Sequence, residues 1–308
     1  MHETRNRILS TIAEGPAGGP ELAETLDISR AAVWKHVEAL REMGFEIPGG
    51  EDGYALESVP SYGPAVAFEL DAPFTVEYHD SIASTNARAR DLAEEGAADV
   101  VVLADEQTGG RGRLDRAWES PSGGVWLSIL SRAEIPPANA PIYTLAAAVA
   151  TAEAVRTMGV DATIKWPNDV LVDGRKLAGI LTEMEGEADR VSWLVVGIGL
   201  NANVDIEALP FEEATSLRAE VGDVDRRELV HELLERFAHY RENHDAVLPA
   251  WRDLSATLGR RVRVDTGPET IVGEAVDITV PGTLHVQTDD GTETVAAGDC
   301  EHLRPVEE

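Results

Sequence analysis

Ile8, Leu9 and Ile12 recur at helical spacing near the start of the chain, and Gly15-Pro16-Ala17-Gly18-Gly19 then breaks the pattern. Pro20 suits the first position of a second short helix, running through Leu22 to about Leu26. Ser29 reads as the N-cap of a third, in which Val33, Val37 and Leu40 form the apolar stripe and Gly44 marks the end. Phe45–Pro48 and Tyr54–Leu56 read as the arms of a small hairpin. Further on, Phe74–Tyr78, Val100–Glu106, Val125–Ile129, Thr163–Trp166, Asp169–Val172, Arg175–Glu183 and Val191–Val196 read as strands, and Asp173-Gly174 is a hairpin turn signal. Helices are predicted after Asn86, over the alanine-rich Pro141–Met158, and from Asp225 to about Tyr240, with Val247–Leu254 continuing into a connector. Four or five short strands, divided by Thr266-Gly267-Pro268, Pro281-Gly282 and Asp289-Asp290-Gly291, fill the rest.

These elements predict an α+β protein in three parts. Residues 1–60 follow the plan of a winged helix-turn-helix. Ser29, Arg30, Ala31, Trp34 and Lys35 lie off the apolar stripe and are the candidate DNA-facing positions, with Arg30 and Lys35 as phosphate or base contacts. The alternative is a small helical interaction module. Val59–Pro64 reads as a connection to a central domain over about 65–255. There strands outnumber helices and hairpin signals dominate, so a mixed, largely antiparallel sheet with helices packed on it is expected. Residues 256–308 read as a small SH3-like barrel.

Charge changes the picture in two ways. The formal net charge of -30 is spread over every segment, which predicts a solvated anionic surface of the kind found in proteins adapted to high salt. Residues 1–60 share it, with five basic against eleven acidic side chains, the opposite of the usual basic footprint on nucleic acid. The second point is local. Arg111, Arg113 and Arg116 interleave with Gly109, Gly110 and Gly112, and a glycine-rich cationic loop in an anionic chain reads as a cradle for an anionic ligand. Only Lys35, Lys165 and Lys176 are lysines, so each is a candidate for a place where arginine cannot serve. The single Cys300 excludes an internal disulfide and a cysteine zinc site. No apolar run of spanning length and no secretory leader is present, so a cytoplasmic location without membrane contact is expected. No P-loop and no dinucleotide fingerprint occur.

Five motifs remain: Ser84-Thr85-Asn86; Glu106-Gln107 with Gly110-Arg111-Gly112-Arg113; Lys165-Trp166-Pro167-Asn168-Asp169; Arg175-Lys176-Leu177-Ala178-Gly179-Ile180-Leu181; and Gly197-Ile198-Gly199-Leu200-Asn201. In this order and spacing they closely resemble the biotin protein ligase family. With the winged helix, the chain resembles the bifunctional form, a ligase that is also a biotin-operon repressor. The resemblance implies a central sheet like that of class II synthetases, and biotin and ATP as substrates with Mg²⁺. It also implies a biotin carboxyl carrier domain as acceptor, operator DNA as partner and a homodimer.

It implies two steps as well: biotin's carboxylate attacks the α-phosphate of ATP, and a carrier lysine then attacks the mixed anhydride. Lys176, Arg111 and Arg113 are the candidate catalytic residues, since two anionic reactants need local positive charge. The resemblance places Ser84, Thr85, Asn86 and Gln107 around the ureido ring and tail, where neutral groups suit a neutral urea. It places Asn168 and Asp169 on the nucleotide side, with no dedicated metal site. Gly110, Gly112, Gly179, Gly197, Gly199 and Asn201 complete the candidate ligand-binding set. Trp118 is a candidate wall of the pocket, whereas Trp126 and Trp166 read as core. Two alternatives stand beside this reading: a biotin-sensing transcription factor without ligase activity, and a ligase for a related carboxylic cofactor such as lipoate.

Overall fold

The structure is a computed structural model that describes residues 3–50, 52–209 and 213–303. Glu51, in the expected wing turn, and residues 304–308 of the carboxyl-terminal segment lie outside the described residues.

The amino-terminal part consists of α1 (Glu3–Glu14), α2 (Gly19–Leu26), α3 (Arg30–Glu42) and the strands β1 (Gly49–Gly50) and β2 (Gly53–Tyr54). Ser29 caps α3 by accepting from the backbone N–H of Ala32 at 3.1 Å. Val33, Val37 and Leu40 are fully buried against Ile8, Leu9 and Leu22, so the stripe does what its spacing requires. The regular wing strands are two residues each, and the arms expected from Phe45 also pair below them, through the Glu46–Ser58 bridge and the Ala55 N–H to the Pro48 carbonyl, while Phe45 and Ile47 turn into the core.

The centre is a seven-stranded sheet. Its strands are β3 (Thr75–Ile82), β4 (Val100–Gln107), β5 (Val125–Ser131), β6 (Ala162–Lys165), β7 (Asp169–Val172), β8 (Arg175–Gly186) and β9 (Val191–Leu200), in the spatial order β3-β4-β5-β9-β8-β7-β6. The β3/β4 pair is parallel and every other pair antiparallel. Successive side chains point to opposite faces. Val101 and Leu103 meet α5 (Pro141–Thr157), while Val102 and Leu130 meet α4 (Thr85–Glu94). α5 is apolar on all sides because it is covered twice, by the sheet and by α7 (Arg226–Glu242) and α8 (His244–Leu254). A short α6 (Leu217–Val221) precedes α7. Residues 247–254, expected as a connector, belong to α8: Val247, Leu248, Trp251 and Leu254 form a buried helical stripe that tolerates Pro249 within it.

β10 (Arg261–Asp265), β11 (Thr270–Thr279), β12 (Thr283–Thr288), β13 (Gly291–Val295) and β14 (Asp299–His302) form an antiparallel sheet in the order β13-β12-β11-β10-β14 around Val262, Val264, Ala275, Ile278, Leu284 and Val286. The connection after the winged helix is docked. Tyr62 donates to the carbonyl of Ala104 at 3.0 Å beneath the Arg226 guanidinium, while Ala65 and Phe68 complete the amino-terminal core. No helix among the described residues is long and apolar enough to cross a membrane.

Candidate active site

The sheet builds a cavity of about 960 Å³ on its α4 side. Two neighbouring strands lack side chains at the positions facing it. Gly179 of β8 pairs with Gly199 of β9, and Leu181 pairs with Gly197, so alternation leaves a trough across the middle of the sheet. The glycines also let two side chains lie flat on the backbone. A Cβ at Gly199 would stand 2.5 Å from the Trp118 indole nitrogen, and one at Gly197 would stand 2.2 Å from Asn86 Oδ1.

One end of the trough is cationic. Lys176 Nζ lies 2.6 Å from Asp169 Oδ1 and 5.1 Å from the centroid of the Trp118 ring. Arg113 donates to Asn168 Oδ1 at 3.0 Å and to the carbonyl of Gly298 at 2.9 Å. Arg116 is ion-paired with Asp299, so the carboxyl-terminal sheet reaches the loop. The loop is a closed flap. Gln107 bridges to Ser120 and Arg111 to Ala117, and the N–H of Trp118 donates to the Gly110 carbonyl at 3.0 Å. Gly110 is required there, because a Cβ would stand 2.4 Å from the Trp118 carbonyl oxygen. The Trp118 indole N–H is buried with no acceptor among the described residues, a donor that a ligand oxygen would satisfy.

The other end sets neutral hydrogen-bonding groups beside an ion-paired Arg90 and Glu183. Ser84 caps α4 through the N–H of Ala87 at 3.3 Å, so the capping role weighed for this motif is real for Ser84, which also lines the cavity. Gln107 Oε1 accepts from the backbone N–H of Thr85 at 2.8 Å and lies 3.0 Å from Thr85 Oγ1. Gln107 Nε2 donates to Ser120 Oγ at 3.0 Å. Asn86 donates to Glu183 Oε2 at 2.7 Å, and Arg90 donates to Glu183 Oε1 at 2.7 Å. Ser128, fully buried, lies 2.7 Å from Thr85 Oγ1 and 2.5 Å from Asn86 Oδ1.

Most sequence-derived candidates therefore meet around one cavity: Ser84, Thr85, Asn86, Gln107, Arg111, Gly112, Arg113, Trp118, Asn168, Asp169, Lys176, Gly179, Gly197 and Gly199 all line it. Two do not. Gly110 is part of the flap, where its carbonyl accepts from the Trp118 N–H, and does not line the cavity. Asn201 is buried just beyond β9, where its amide donates to the Thr215 carbonyl at 3.0 Å and its backbone carbonyl accepts from Leu217, so it supports the floor from below. Trp126 and Trp166 are core, as expected; the Trp166 indole donates to the Gly282 carbonyl at 2.9 Å. Arg90, Ser128, Glu183 and Asp299 escaped the sequence reading. Arg90 is four residues from Asn86 on one helix face, and Glu183 is two beyond Leu181 on one strand face, so periodicity carried a signal for both.

At the joint with the carboxyl-terminal sheet, burial holds the His302 imidazole down at about 4, with Lys165 and Arg260 adding to the effect. A base kept neutral by folding binds its proton more readily in the unfolded chain. The stability it contributes is full above pH 6.5 and is lost as pH falls towards 4. Thermal unfolding at about pH 7.5 and about pH 5 is expected to show a larger acid loss for the unmodified chain than for His302→Gln. Equal losses would contradict this.

The Ser29, Arg30, Ala31, Trp34 and Lys35 side chains are all exposed on α3, with Trp34 at 55%.

Comparison with known proteins agrees with this geometry. Residues 78–201 match the Biotin/lipoate A/B protein ligase family, 257–303 the Biotin protein ligase C terminal domain, and 4–63 an HTH domain. The Bifunctional ligase/repressor BirA of Bacillus subtilis (strain 168) is 36% identical over 303 residues, covering 92% of this chain and 93% of its own. Its Escherichia coli (strain K12) namesake is 33% identical over 300 residues, covering 92% of each. The structure of biotin protein ligase from Aquifex aeolicus in complex with biotin and ATP superposes with a TM-score of 0.63 at 28% identity, covering 75% of this chain and 99% of that one. With helix-turn-helix, ligase and carboxyl-terminal domains matched in order along nearly its whole length, the chain belongs to the biotin protein ligase family, in its bifunctional ligase/repressor form.

Proposed function

We propose that this chain activates biotin with ATP to biotinyl-5′-adenylate and passes the biotinyl group to a lysine of a biotin carboxyl carrier domain, and that it represses transcription through its winged helix. One observation carries the enzymatic reading. Lys176, Arg113, Asn168 and Asp169 gather at one end of a glycine-floored trough, and Thr85 and Gln107 offer neutral hydrogen-bonding groups at the other. A ligand lying along it has a neutral ring at one end and an anionic junction at the other. In the first step a carboxylate oxygen of biotin bonds to the α-phosphorus and pyrophosphate leaves. In the second the acceptor amine bonds to the acyl carbon and AMP leaves.

Arg113 and Lys176 stabilise the charge that accumulates between the two anions, and Arg111, on the rim, adds to that field. Trp118 and the flap shield the anhydride from water. Among the described residues no cluster of His, Cys, Asp or Glu could hold a metal by itself. The lone carboxylate of Asp169 beside the phosphate-side cations fits a Mg²⁺ that arrives with the nucleotide, and such an ion neutralises phosphate charge when bound. The test is to incubate the chain with biotin, ATP, Mg²⁺ and a carrier domain and to weigh the acceptor. A biotinyl mass on one lysine supports the reading. Lipoate incorporated in preference to biotin would contradict it.

For DNA, the support is the exposed face of α3 with Arg30 and Lys35 on a helix capped and buried as a recognition helix requires. Arg30→Ala and Lys35→Ala are each expected to weaken operator binding and to lower the slope of log K against log salt by about 1. Unchanged anisotropy titrations for both would contradict that role. We propose further that the chain works as a homodimer, in keeping with the two-fold symmetry such repressors read, and that its acidic surface suits high salt. Light scattering in molar KCl with ligand present tests the dimer, and a monomer at all concentrations would refute it.

A further inference from the structure

We propose that Glu183 is a positioning and specificity-determining residue for biotin, acting through Asn86 and Ser128 to turn the hydroxyl of Thr85 into a hydrogen-bond acceptor. This rests on the biotin reading above and assigns the polarity of its ring-binding end.

An ionised carboxylate only accepts, so the Asn86 atom 2.7 Å from Glu183 Oε2 is the amide nitrogen. Its second hydrogen reaches the Leu181 carbonyl at 3.5 Å. Both N–H groups of Asn86 are therefore spent within the protein, and Asn86 Oδ1 faces Ser128. An amide oxygen cannot donate, so the single proton of Ser128 goes to Asn86 at 2.5 Å. At the far end of the chain Gln107 Oε1 is held as an acceptor by the backbone N–H of Thr85. Two hydroxyls, Ser128 and Thr85, thus stand between two fixed acceptors.

Three oxygen contacts join these four groups: Asn86–Ser128, Ser128–Thr85 and Thr85–Gln107. Only two protons are available for them. The Ser128 proton is committed, so the Thr85 proton serves either Ser128 or Gln107 and one contact is always short of a hydrogen. All four groups are at least partly buried, so bulk water is a poor remedy. A ligand edge that brings an N–H to Thr85 Oγ1 or Gln107 Oε1 supplies the missing donor. A urea edge does this, and an edge of acceptors alone does not. Glu183 sets the direction of the whole series, with Arg90 at 2.7 Å holding it in place. Gly197 leaves Asn86 the room to lie in this orientation.

With Glu183→Ala nothing fixes the Asn86 amide. It turns, offers N–H to Ser128, and the series gains a proton that opposes the ligand's own. Biotin KM in pyrophosphate release is expected to rise about 10- to 100-fold, the usual consequence of mismatched buried hydrogen bonds, while the KM for ATP stays within about twofold. Glu183→Gln, which can still present an oxygen to Asn86, is expected to recover most of the loss. Ser128→Ala breaks the same series, so the double variant is expected to lose no more than the worse single one. A merely structural role would lower active fraction and melting temperature without this split. A biotin KM for Glu183→Ala within twofold of the unmodified chain, KM values for biotin and ATP that rise together, or additive losses in the double variant would overturn the proposal. If the unmodified chain fails to bind biotin in a calorimeter, the underlying reading falls first, and this proposal with it.

Discussion

Replacing Lys176 with alanine is expected to slow biotin-dependent pyrophosphate release about 10²–10³-fold, roughly 2.7–4 kcal/mol, with little change in biotin KM. Lys176 is held by three neighbours. Asp169 pairs with its ammonium at 2.6 Å, the Trp118 ring lies under it at 5.1 Å, and the bare backbone of Gly179 leaves room for its stem. In the proposed reaction, a point charge placed this way follows a phosphorus centre whose charge shifts from carboxylate to leaving group. The loss is larger than that of one cation in water, because alanine also leaves the Asp169 carboxylate without its partner next to an incoming triphosphate. Arginine is not expected to rescue the rate. Its planar fork is wider than the slot between Trp118 and Gly179, where a Cβ on the glycine would already stand 3.3 Å from Lys176 Cε. Quench-flow measurement of adenylate formation separates this loss from product release. A near-normal rate for Lys176→Ala would remove Lys176 from the chemistry.

The second large effect is expected at the floor of the trough, and it divides between two glycines. In Gly199→Ala the new methyl meets the Trp118 ring at 2.5 and 2.8 Å, against rigid indole atoms that cannot bend aside. Trp118 is displaced, Lys176 loses its support, and kcat falls. In Gly197→Ala the methyl meets Asn86 Oδ1 at 2.2 Å and Cγ at 2.9 Å, which drives the amide off Ser128, and biotin KM rises. Overpacking of this kind costs about 1–3 kcal/mol, so each parameter is expected to change by about 10- to 100-fold. The two strands are adjacent and the substitutions chemically identical, so opposite signatures in kcat and KM would locate the two ends of the ligand. Equal changes of both parameters in both variants would contradict the assigned orientation.

Much of this was legible in the chain because it is local. The stripe Val33, Val37, Leu40, the N-cap Ser29 and the Asp173-Gly174 turn each follow from spacing and backbone preference. Asp173 and Gly174 both take positive φ, as the turn requires. The misreadings have local causes too. Residues 247–254 read as a connector but form α8 with Pro249 inside it, and Val191–Val196 stops short of Gly197 and Gly199 although the strand runs on to Leu200. Asn201 joins the ligand set by its place in a motif; it lies outside the cavity lining, where its amide nitrogen donates to the Thr215 carbonyl and its Oδ1 is buried with no partner among the described residues. What remained hidden is non-local. Glu183 matters because residues 97 apart in sequence meet, and Arg113 and Arg116 are reached by Gly298 and Asp299 from another part of the chain. Periodicity puts Glu183 on the cavity face of its strand, but no spacing reports that Asn86 meets it there or that the carboxyl-terminal sheet reaches the loop.

On the proposed function, one cavity carries out adenylation and then transfer. The most direct test is to mix the full chain with biotin, ATP and Mg²⁺ in molar KCl and to count pyrophosphate with and without a carrier domain. One equivalent released without acceptor, and turnover only once acceptor is added, is the result predicted here. No release at any salt concentration, with biotin still bound, would contradict it and leave a ligand-sensing repressor in its place.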